Sequence, residues 1–299
     1  MKALVTGATG FVGARLTRSL LQSGASVRCL VRDRSRARDL AGAGAELHEG
    51  DLLQPETLEG AASGVDVAYY LVHSMGRGAK GDFEERERTS ARAFADLARR
   101  AGVDRVVYLG GLGDDPGSRH LRSRHATAQL LREEGPPLTY FRAGMIVGAG
   151  SESFLTLRHL VARLPVMIAP AWLSTPTQPI AIDDVVAYLA AAPSVRESRG
   201  REVQIGGPDV LAYADMLDRM AIALGRRPRP KLRVPLLSPR LSSLWIGLVT
   251  PVDPGVARPL IEGLRTETVV TDPAGAEPFE VEPLSFDESL RRALAEVAE

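Results

Sequence analysis

Apolar positions in the first part of the chain change from a continuous run to a helical spacing. Residues 3–5 are apolar and stop at Thr6, and apolar side chains then recur at helical intervals from Phe11 to Leu21 until Gly24 ends the pattern. A short apolar run between turn residues is typical of a buried strand, and a period near 3.6 residues is typical of a helix. The pattern predicts a strand, a glycine turn and a helix in immediate succession.

The same alternation continues to about residue 142. Further strands are predicted at 26–31, 45–49, 65–72, 106–109 and 138–142, with helices at 82–101 and 121–134. Alternating strands and helices are typical of a parallel sheet covered on both faces, with a binding crevice outside the carboxyl ends of the strands. We therefore predict an α/β fold, a doubly wound parallel sheet of the Rossmann type, which is complete by about Arg142.

Beyond residue 150 the pattern loosens. It predicts helices at 153–164, 183–192 and 213–224 and strands at 178–182 and 202–205, while prolines interrupt residues 228–259. The apolar faces of these elements must be buried near the crevice. We predict a cofactor-binding domain over 1–150 and a smaller C-terminal substrate lobe over 151–299, partly interleaved with the sheet. The apolar tract at 241–249 fits a pocket lining and an ordinary core helix equally well.

Charge and cysteine content narrow the class of protein. Lysine plus arginine and aspartate plus glutamate each number 37, so no overall field draws the chain to nucleic acid or anionic lipid. The basic run at 226–231 is short and has no aromatic partners, which favours a solvated loop. The single cysteine, Cys29, lies in a predicted strand, where a buried thiol in a reducing compartment is the simplest interpretation.

The start of the chain and its apolar runs bear on location. The first predicted strand begins at residue 2 and leaves no room for a signal peptide. The apolar run at 244–249 is far shorter than the roughly 20 residues of a membrane helix. We expect a cytoplasmic monomer or homodimer that binds a small-molecule substrate, without a metal site and without nucleic-acid or membrane partners.

The turn between the first strand and helix carries glycine at every third position. Gly7 permits a tight turn with positive φ, Gly10 lets backbone amides approach a pyrophosphate, and Gly13 lets the helix pack closely on the strand. The free N–H groups and dipole of the helix start favour an anion. The spacing is G-x-x-G-x-x-G rather than the commoner G-x-G-x-x-G, and a turn that binds nothing is the alternative. The flanking strand and helix favour dinucleotide binding.

The tip of the second strand bears on which dinucleotide is bound. A carboxylate there accepts from the ribose 2′-hydroxyl of NAD, whereas a cation suits the 2′-phosphate of NADP. The position is Arg32, followed by Arg34 and Arg36, which favours NADPH and leaves NAD possible. Asp33 can turn inward instead, and a loop of solvated charges is the alternative.

Two further positions follow strands three and four. Asp51 can accept a hydrogen bond from the adenine amino group, or it can cap a helix that begins near Pro55. His73 can contact a ribose or the substrate, or it can serve as a structural hydrogen-bonding group.

These segments together resemble a known family. TGATGFVG, VRD, GDL, FRAGMIVGAGS and TQPIAIDDVVAYL resemble the extended and atypical short-chain dehydrogenase/reductases, above all the NAD(P)H-binding group related to the nitrogen metabolite repression regulators (NmrA-like). The resemblance covers residues 1 to about 225. It implies a cofactor site across Gly7, Thr9, Gly10, Phe11 and Val12, completed by Arg32, Asp51, Leu52, the end of strand four, Ala143, Gly144 and Met145. We add Gly13, His73, Gly110 and Arg124 as candidate cofactor-binding residues.

The catalytic positions depart from the family pattern. Active members carry a serine after strand five and Tyr-x-x-x-Lys in the next helix, where this chain has Gly110 or Gly111 and then His120 and Arg124. His120 can act as the proton donor, with Arg124 fixing the ribose. Alternatively the site retains the cofactor without catalysis, as the regulators of this family do. We favour an oxidoreductase, because the fold and cofactor signals are the stronger ones.

Overall fold

A seven-stranded sheet forms the centre of the molecule. The computed structural model describes residues 1–72, 83–114, 118–169, 171–233 and 266–298. The strands are β1 (Lys2–Thr6), β2 (Ser26–Val31), β3 (Glu46–Glu49), β4 (Val67–Tyr70), β5 (Arg105–Gly111), β6 (Leu138–Ala143), β7 (Ile146–Val147), β8 (Met167–Ala169), β9 (Pro176–Thr177), β10 (Ile180–Ala181), β11 (Glu202–Ile205), β12 (Leu211–Ala212) and β13 (Lys231–Arg233). The helices are α1 (Phe11–Gln22), α2 (Arg38–Gly42), α3 (Phe83–Arg100), α4 (Arg119–Glu134), α5 (Glu152–Arg163), α6 (Ile182–Ala191), α7 (Tyr213–Ala223) and α8 (Phe286–Ala298).

The strand order defines where the crevice lies. Across the sheet the order is β11-β6-β5-β4-β1-β2-β3, and every pairing is parallel. The chain builds outwards from β1 on one side and then returns to add β4 on the other, so the order reverses beside β1. In doubly wound sheets a ligand crevice opens at this point. The predicted α/β Rossmann-type fold is confirmed.

Helices cover both faces of the sheet. On one face α1 packs beside α6, where Leu16 and Leu20 share a core with Val185 and Leu189. On the other face α3 packs against α4, and small buried alanines of α3 around Phe94 let the two helices approach closely. Burial on both faces explains why the central strands are almost continuously apolar in the sequence.

Strand β11 corrects the expectation that the sheet is complete by Arg142. It pairs in parallel with β6, from Glu202 opposite Tyr140 to Ile205 opposite Ala143. Without it, β6 would present a row of unpaired backbone groups at an open edge. Helix α6 also comes from the later part of the chain and covers α1. The proposed division of the chain at residue 150 remains a prediction. Both elements lie after that residue and pack on elements that lie before it.

A third group of buried apolar residues lies in the later part of the chain. It joins Phe154 and Leu157 of α5, Met216 and Met220 of α7, and Leu290 of α8. The apolar tract predicted at 241–249 lies outside the described residues. Within the described ranges, no helix has both the length and the apolar character needed to cross a bilayer.

Helix α8 returns to the beginning of α1. The Arg15 guanidinium pairs with Glu296 of α8, donates to the Ala149 carbonyl oxygen at 2.9 Å and lies 4.7 Å from the centroid of the Phe11 ring. A single side chain of α1 therefore connects α8, the segment before α5 and the first residue of its own helix.

The Cys29 thiol is fully buried in β2, as predicted. Burial raises its pKa to about 11, while a contact with the Thr17 hydroxyl acts in the opposite direction. The thiol therefore stays protonated near neutral pH and contributes to packing.

Candidate cofactor-binding site

A cleft of about 880 Å³ opens at the carboxyl ends of the central strands. Its lining includes Gly7, Thr9, Gly10, Phe11, Val12, Gly13, Arg32, Asp51, Leu52, Gly110, Arg124, Ala143, Gly144 and Met145. These are all the sequence-predicted site residues that the structure describes in full. His73 lies outside the described residues, as does the side chain of His120, whose backbone belongs to the first turn of α4.

The glycine turn is shaped by close approaches that exclude a side chain. Gly7 has φ +67°, and a Cβ there would lie 2.3 Å from the Leu71 carbonyl oxygen. A Cβ at Gly13 would lie 2.2 Å from the Gly7 carbonyl oxygen, so the first turn of α1 packs directly on the turn before it. The positive φ at Gly7 and the close packing at Gly13 agree with the roles predicted from the sequence.

The start of α1 forms a cradle for an anion. Gly10 is its N-cap residue, and no side chain in the described part of the chain caps this turn. The first N–H groups of a helix have no partner within the helix, and the helix dipole adds partial positive charge there. Gly10, Phe11 and Val12 all line the cleft, so the residues present fit a pyrophosphate at this point.

The tip of β2 is cationic where it meets the cleft. Arg32 and Arg36 both line it, whereas neither Asp33 nor Arg34 belongs to the lining. The Asp33 carboxylate turns back and accepts a hydrogen bond from the Ser35 backbone N–H at 2.8 Å. Hydrogen bonds from the Ser35 side chain and backbone hold the pKa of Asp33 below its usual range. The Asp33 carboxylate is therefore bound to the turn that follows it and does not line the cleft.

Asp51 lines the cleft after β3. One of its carboxylate oxygens accepts from the Leu53 N–H at 3.0 Å, and its own N–H donates to the Thr57 hydroxyl at 2.8 Å. The N-cap of the short 3₁₀ helix Pro55–Leu58 is Gln54, so the interpretation of Asp51 as the cap of that helix is wrong. Asp51 instead fixes the turn that faces the cleft.

Several lining residues were missed by sequence reasoning. Arg86 and Ser90 of α3 reach the cleft, and so do Gly150 and residues 151–153 at the start of α5. Ser90 is buried among the alanines of α3. A polar residue on an otherwise apolar helical stripe is the sequence signal that could have identified it.

Neighbouring side chains crowd the end of β5, where active members of the family carry a serine. A Cβ at Gly110 would lie 2.6 Å from the Tyr140 hydroxyl oxygen, and a Cβ at Gly111 would lie 2.8 Å from Leu121 Cδ2. A side chain at Gly110 would therefore have to displace the Tyr140 ring, whereas one at Gly111 would require only a shift of the Leu121 side chain.

Arg124 enters the cleft from α4. It is half-buried, and its Nη1 donates to the Leu109 carbonyl oxygen at 3.2 Å. Burial raises the pKa of the neighbouring Tyr108 to about 12, and the Arg124 cation offsets part of that rise. Tyr108 thus stays neutral, while Arg124 supplies fixed positive charge beside the last residues of β5.

A buried guanidinium lies just outside the lining. Arg142, at the end of β6, donates from Nε to Gly111 O at 3.2 Å and from Nη2 to Gly113 O at 2.9 Å. It also pairs with Asp114 and, at 2.7 Å, with Glu202 of β11. Burial acts to lower the pKa of Arg142, but the two carboxylates hold it above its ordinary value.

A Rossmann-type sheet with this glycine cradle and cationic cleft defines a dinucleotide-binding protein. Residues 7–149 match the sequence profile of a family described as NAD(P)H-binding. The resemblance to the atypical short-chain dehydrogenase/reductases and the predicted class of cofactor, NAD(P)H, are confirmed.

Two proteins are similar to this chain over part of its length. The photosystem II assembly factor Ycf39 of Cyanophora paradoxa is 33% identical over 144 residues, which is 48% of this chain and 44% of the relative. The ceramide reductase of Caulobacter vibrioides is 29% identical over 229 residues, which is 75% of this chain and 71% of the relative. The chain thus spans less than half the length of the first of these proteins.

A solved structure shares the fold over the whole chain. The NADPH-dependent quinone oxidoreductase QOR2 of Escherichia coli, complexed with NADPH, superposes with a TM-score of 0.76 at 18% identity and covers 100% of both chains. At this level of identity the likeness extends to the fold alone.

Proposed function

We propose that this protein is an NADPH-dependent oxidoreductase that transfers hydride to a small apolar carbonyl or enone compound. The observation that carries the proposal is the convergence of the predicted site residues on one cleft at the carboxyl ends of the strands. The glycine cradle at one end of α1 and the cations at the tip of β2 fit the phosphates of the cofactor.

Preference for NADPH over NADH is supported by the charges at the tip of β2. Arg32 and Arg36 face the cleft, and the Asp33 carboxylate is engaged by Ser35. Guanidinium groups bind phosphate through charge-assisted hydrogen bonds, whereas an NAD site commonly uses a carboxylate for the 2′-hydroxyl.

An apolar substrate is supported by the opposite end of the cleft. Leu109, Ala143, Met145 and Ile146 line it there. When bound, the reduced nicotinamide supplies a hydride, and apolar walls exclude the water that would compete with the substrate. The ceramide reductase among the similar proteins is named as a reductase.

We further propose that the part of the chain from residue 151 onwards closes the substrate pocket. Residues 151–153 contribute to the lining, and the third core group behind them gives that wall its own support. Pockets between such parts of a protein are common ligand sites.

Proton delivery is assigned to the first turns of α4. His120 and Arg124 are spaced i,i+4, which puts both positions on one helical face. Arginine stays protonated and cannot act as an acid, so in this proposal Arg124 holds the ribose and polarises the acceptor while His120 donates the proton.

A catalytically silent NAD(P)H sensor is the alternative. It is favoured by the end of β5, where the approach of Tyr140 to Gly110 leaves no room for a serine hydroxyl. The similarity to a protein named as an assembly factor is compatible with it.

Two measurements separate these functions. Mass spectrometry of the nucleotide retained on purification tests cofactor binding, and NADPH is the expected species. Stopped-flow absorbance with a panel of carbonyl and enone compounds then tests hydride transfer. Oxidation of NADPH by any member of the panel supports the oxidoreductase, while tight binding without oxidation across the panel supports the sensor.

A further inference from the structure

One buried side chain connects the carboxyl ends of β5 and β6 with the start of β11. Arg142 of β6 is 5% exposed. Its guanidinium donates to the carbonyl oxygens of Gly111 and Gly113, which lie at and beyond the end of β5, and pairs with Glu202 at the start of β11. Asp114 closes the arrangement from the solvent side.

The turn that Arg142 contacts is rich in glycine. Gly110 and Gly111 end β5 and pair with β6, whereas Gly113 lies beyond the strand and adopts φ +102°. The Gly113 carbonyl oxygen accepts from Arg142 and also lies 3.1 Å from His125 Nε2. Glycine backbones are the most conformationally free, so external hydrogen bonds must fix them. The planar guanidinium can bond several acceptors in a fixed geometry, which a lysine ammonium cannot reproduce.

The same turn borders one half of the cleft. Gly110 and Gly111 line it, and α4, which follows the turn, carries Arg124. Arg142 itself is absent from the lining, so its effect on a ligand must pass through the turn. The adenosine half is built from different elements, since Arg32 follows β2 and Asp51 is fixed by Thr57 after β3.

We propose that Arg142 is a positioning residue that sets the nicotinamide half of the cleft without contacting the cofactor. The proposal rests on the NADPH-binding function proposed above. It requires that loss of Arg142 weaken contacts to the nicotinamide while leaving the adenosine half intact.

The test compares the affinities of two ligands in variants of Arg142 and in a variant of a second buried arginine, Arg105. Calorimetry gives the Kd of NADPH and of adenosine 2′,5′-bisphosphate, which carries the adenosine half and no nicotinamide. The substitutions are Arg142→Met and Arg142→Lys. The control is Arg105→Met, because Arg105 is another buried arginine, 6% exposed, which bonds Val195 O and Ser198 Oγ at 3.1 Å each, at the amino end of β5, opposite the cleft.

Arg142→Met is expected to weaken NADPH about tenfold, the effect of losing one good hydrogen bond, and to change the bisphosphate less than about twofold. Arg142→Lys should recover part of the loss. The fluorescence of bound NADPH, which reports the nicotinamide environment, should change in the Arg142 variants only. Arg105→Met is expected to lower stability and leave the ratio of the two Kd values unchanged.

Equal losses for both ligands, or the same ratio in Arg142→Met and Arg105→Met, would overturn the positioning role. If the Arg142 variants do not fold, Asp114→Ala decides, because it removes one partner from an exposed site. We expect about a threefold selective loss for NADPH there, and an unchanged ratio would refute the proposal. A wild-type protein that binds neither ligand would instead refute the proposed function.

Discussion

At the scale of single residues, neighbouring charges at the tip of β2 have different tasks. Arg32 and Arg36 face the cleft, Asp33 is bound to Ser35, and Arg34 lies outside the lining. The sequence indicated the cationic character of this segment correctly. It did not reveal which side chains point inwards, because direction depends on the 3₁₀ turn Arg34–Ala37, whose cap is Asp33.

Arg32→Ala is expected to weaken NADPH about tenfold to a hundredfold and leave NADH nearly unchanged, because a charge-assisted bond to the 2′-phosphate is lost. Titration calorimetry with both cofactors measures this. Arg34→Ala is the matched control and should alter neither affinity. Equal weakening of NADPH and NADH would contradict the assignment of Arg32 to the phosphate.

His120→Ala is expected to reduce turnover about 10²- to 10⁴-fold with cofactor affinity unchanged, because a general acid acts on the transition state. Wild-type turnover should also fall as pH rises, because a histidine that has lost its proton can no longer donate it. A pH–rate profile checks both statements, with His159→Ala as the control. Unchanged turnover in His120→Ala would remove His120 from the mechanism.

At the scale of elements, local patterns predicted most helices and strands to within a few residues. The glycine turn and the apolar stripes of the helices are local signals. The pairing of β11 with β6 is not local, since a strand of only four residues looks the same beside any partner. Lining residues such as Ser90 depend on how α3 is rotated against the sheet, which is likewise set by tertiary packing.

Gly13→Ala is expected to destabilise the protein by about 1–3 kcal/mol and to weaken cofactor binding, because the new methyl group would collide with the Gly7 carbonyl oxygen. Gly42→Ala is the control, since a Cβ there meets no atom of the described residues within 4 Å and glycine is unfavourable in a helix. Urea denaturation with and without NADPH measures both. A neutral Gly13→Ala would show that α1 can shift without cost.

At the scale of the whole molecule, the region that matches the family profile ends before the elements that complete the folded structure. Residues 7–149 carry the family signature, yet β11 and α6 complete the sheet and one of its two faces. Sequence patterns predicted residues that line a single cleft, because the glycine motif at its centre is contiguous. They placed the end of the sheet too early because the missing strand follows an intervening stretch of chain.

A fragment of residues 1–150 is therefore expected to lack a cooperative unfolding transition and to bind no NADPH. Removing β11 and α6 exposes the β6 edge and the apolar face of α1. Circular dichroism during heating and calorimetric titration test this. Addition of a separately produced fragment of residues 151–299 is the control and should restore both properties. A fragment 1–150 that melts cooperatively and binds NADPH would contradict this view.

The contact between Arg15 and Glu296 has a consequence for the timing of synthesis. The two residues are 281 positions apart in the sequence. Chains fold from the amino terminus while they are still being made, at about 5–20 residues per second. The nucleotide cradle at the start of α1 therefore leaves the ribosome many seconds before α8 arrives to support Phe11 through Arg15. We expect the nascent chain to hold its nucleotide more weakly than the finished protein does.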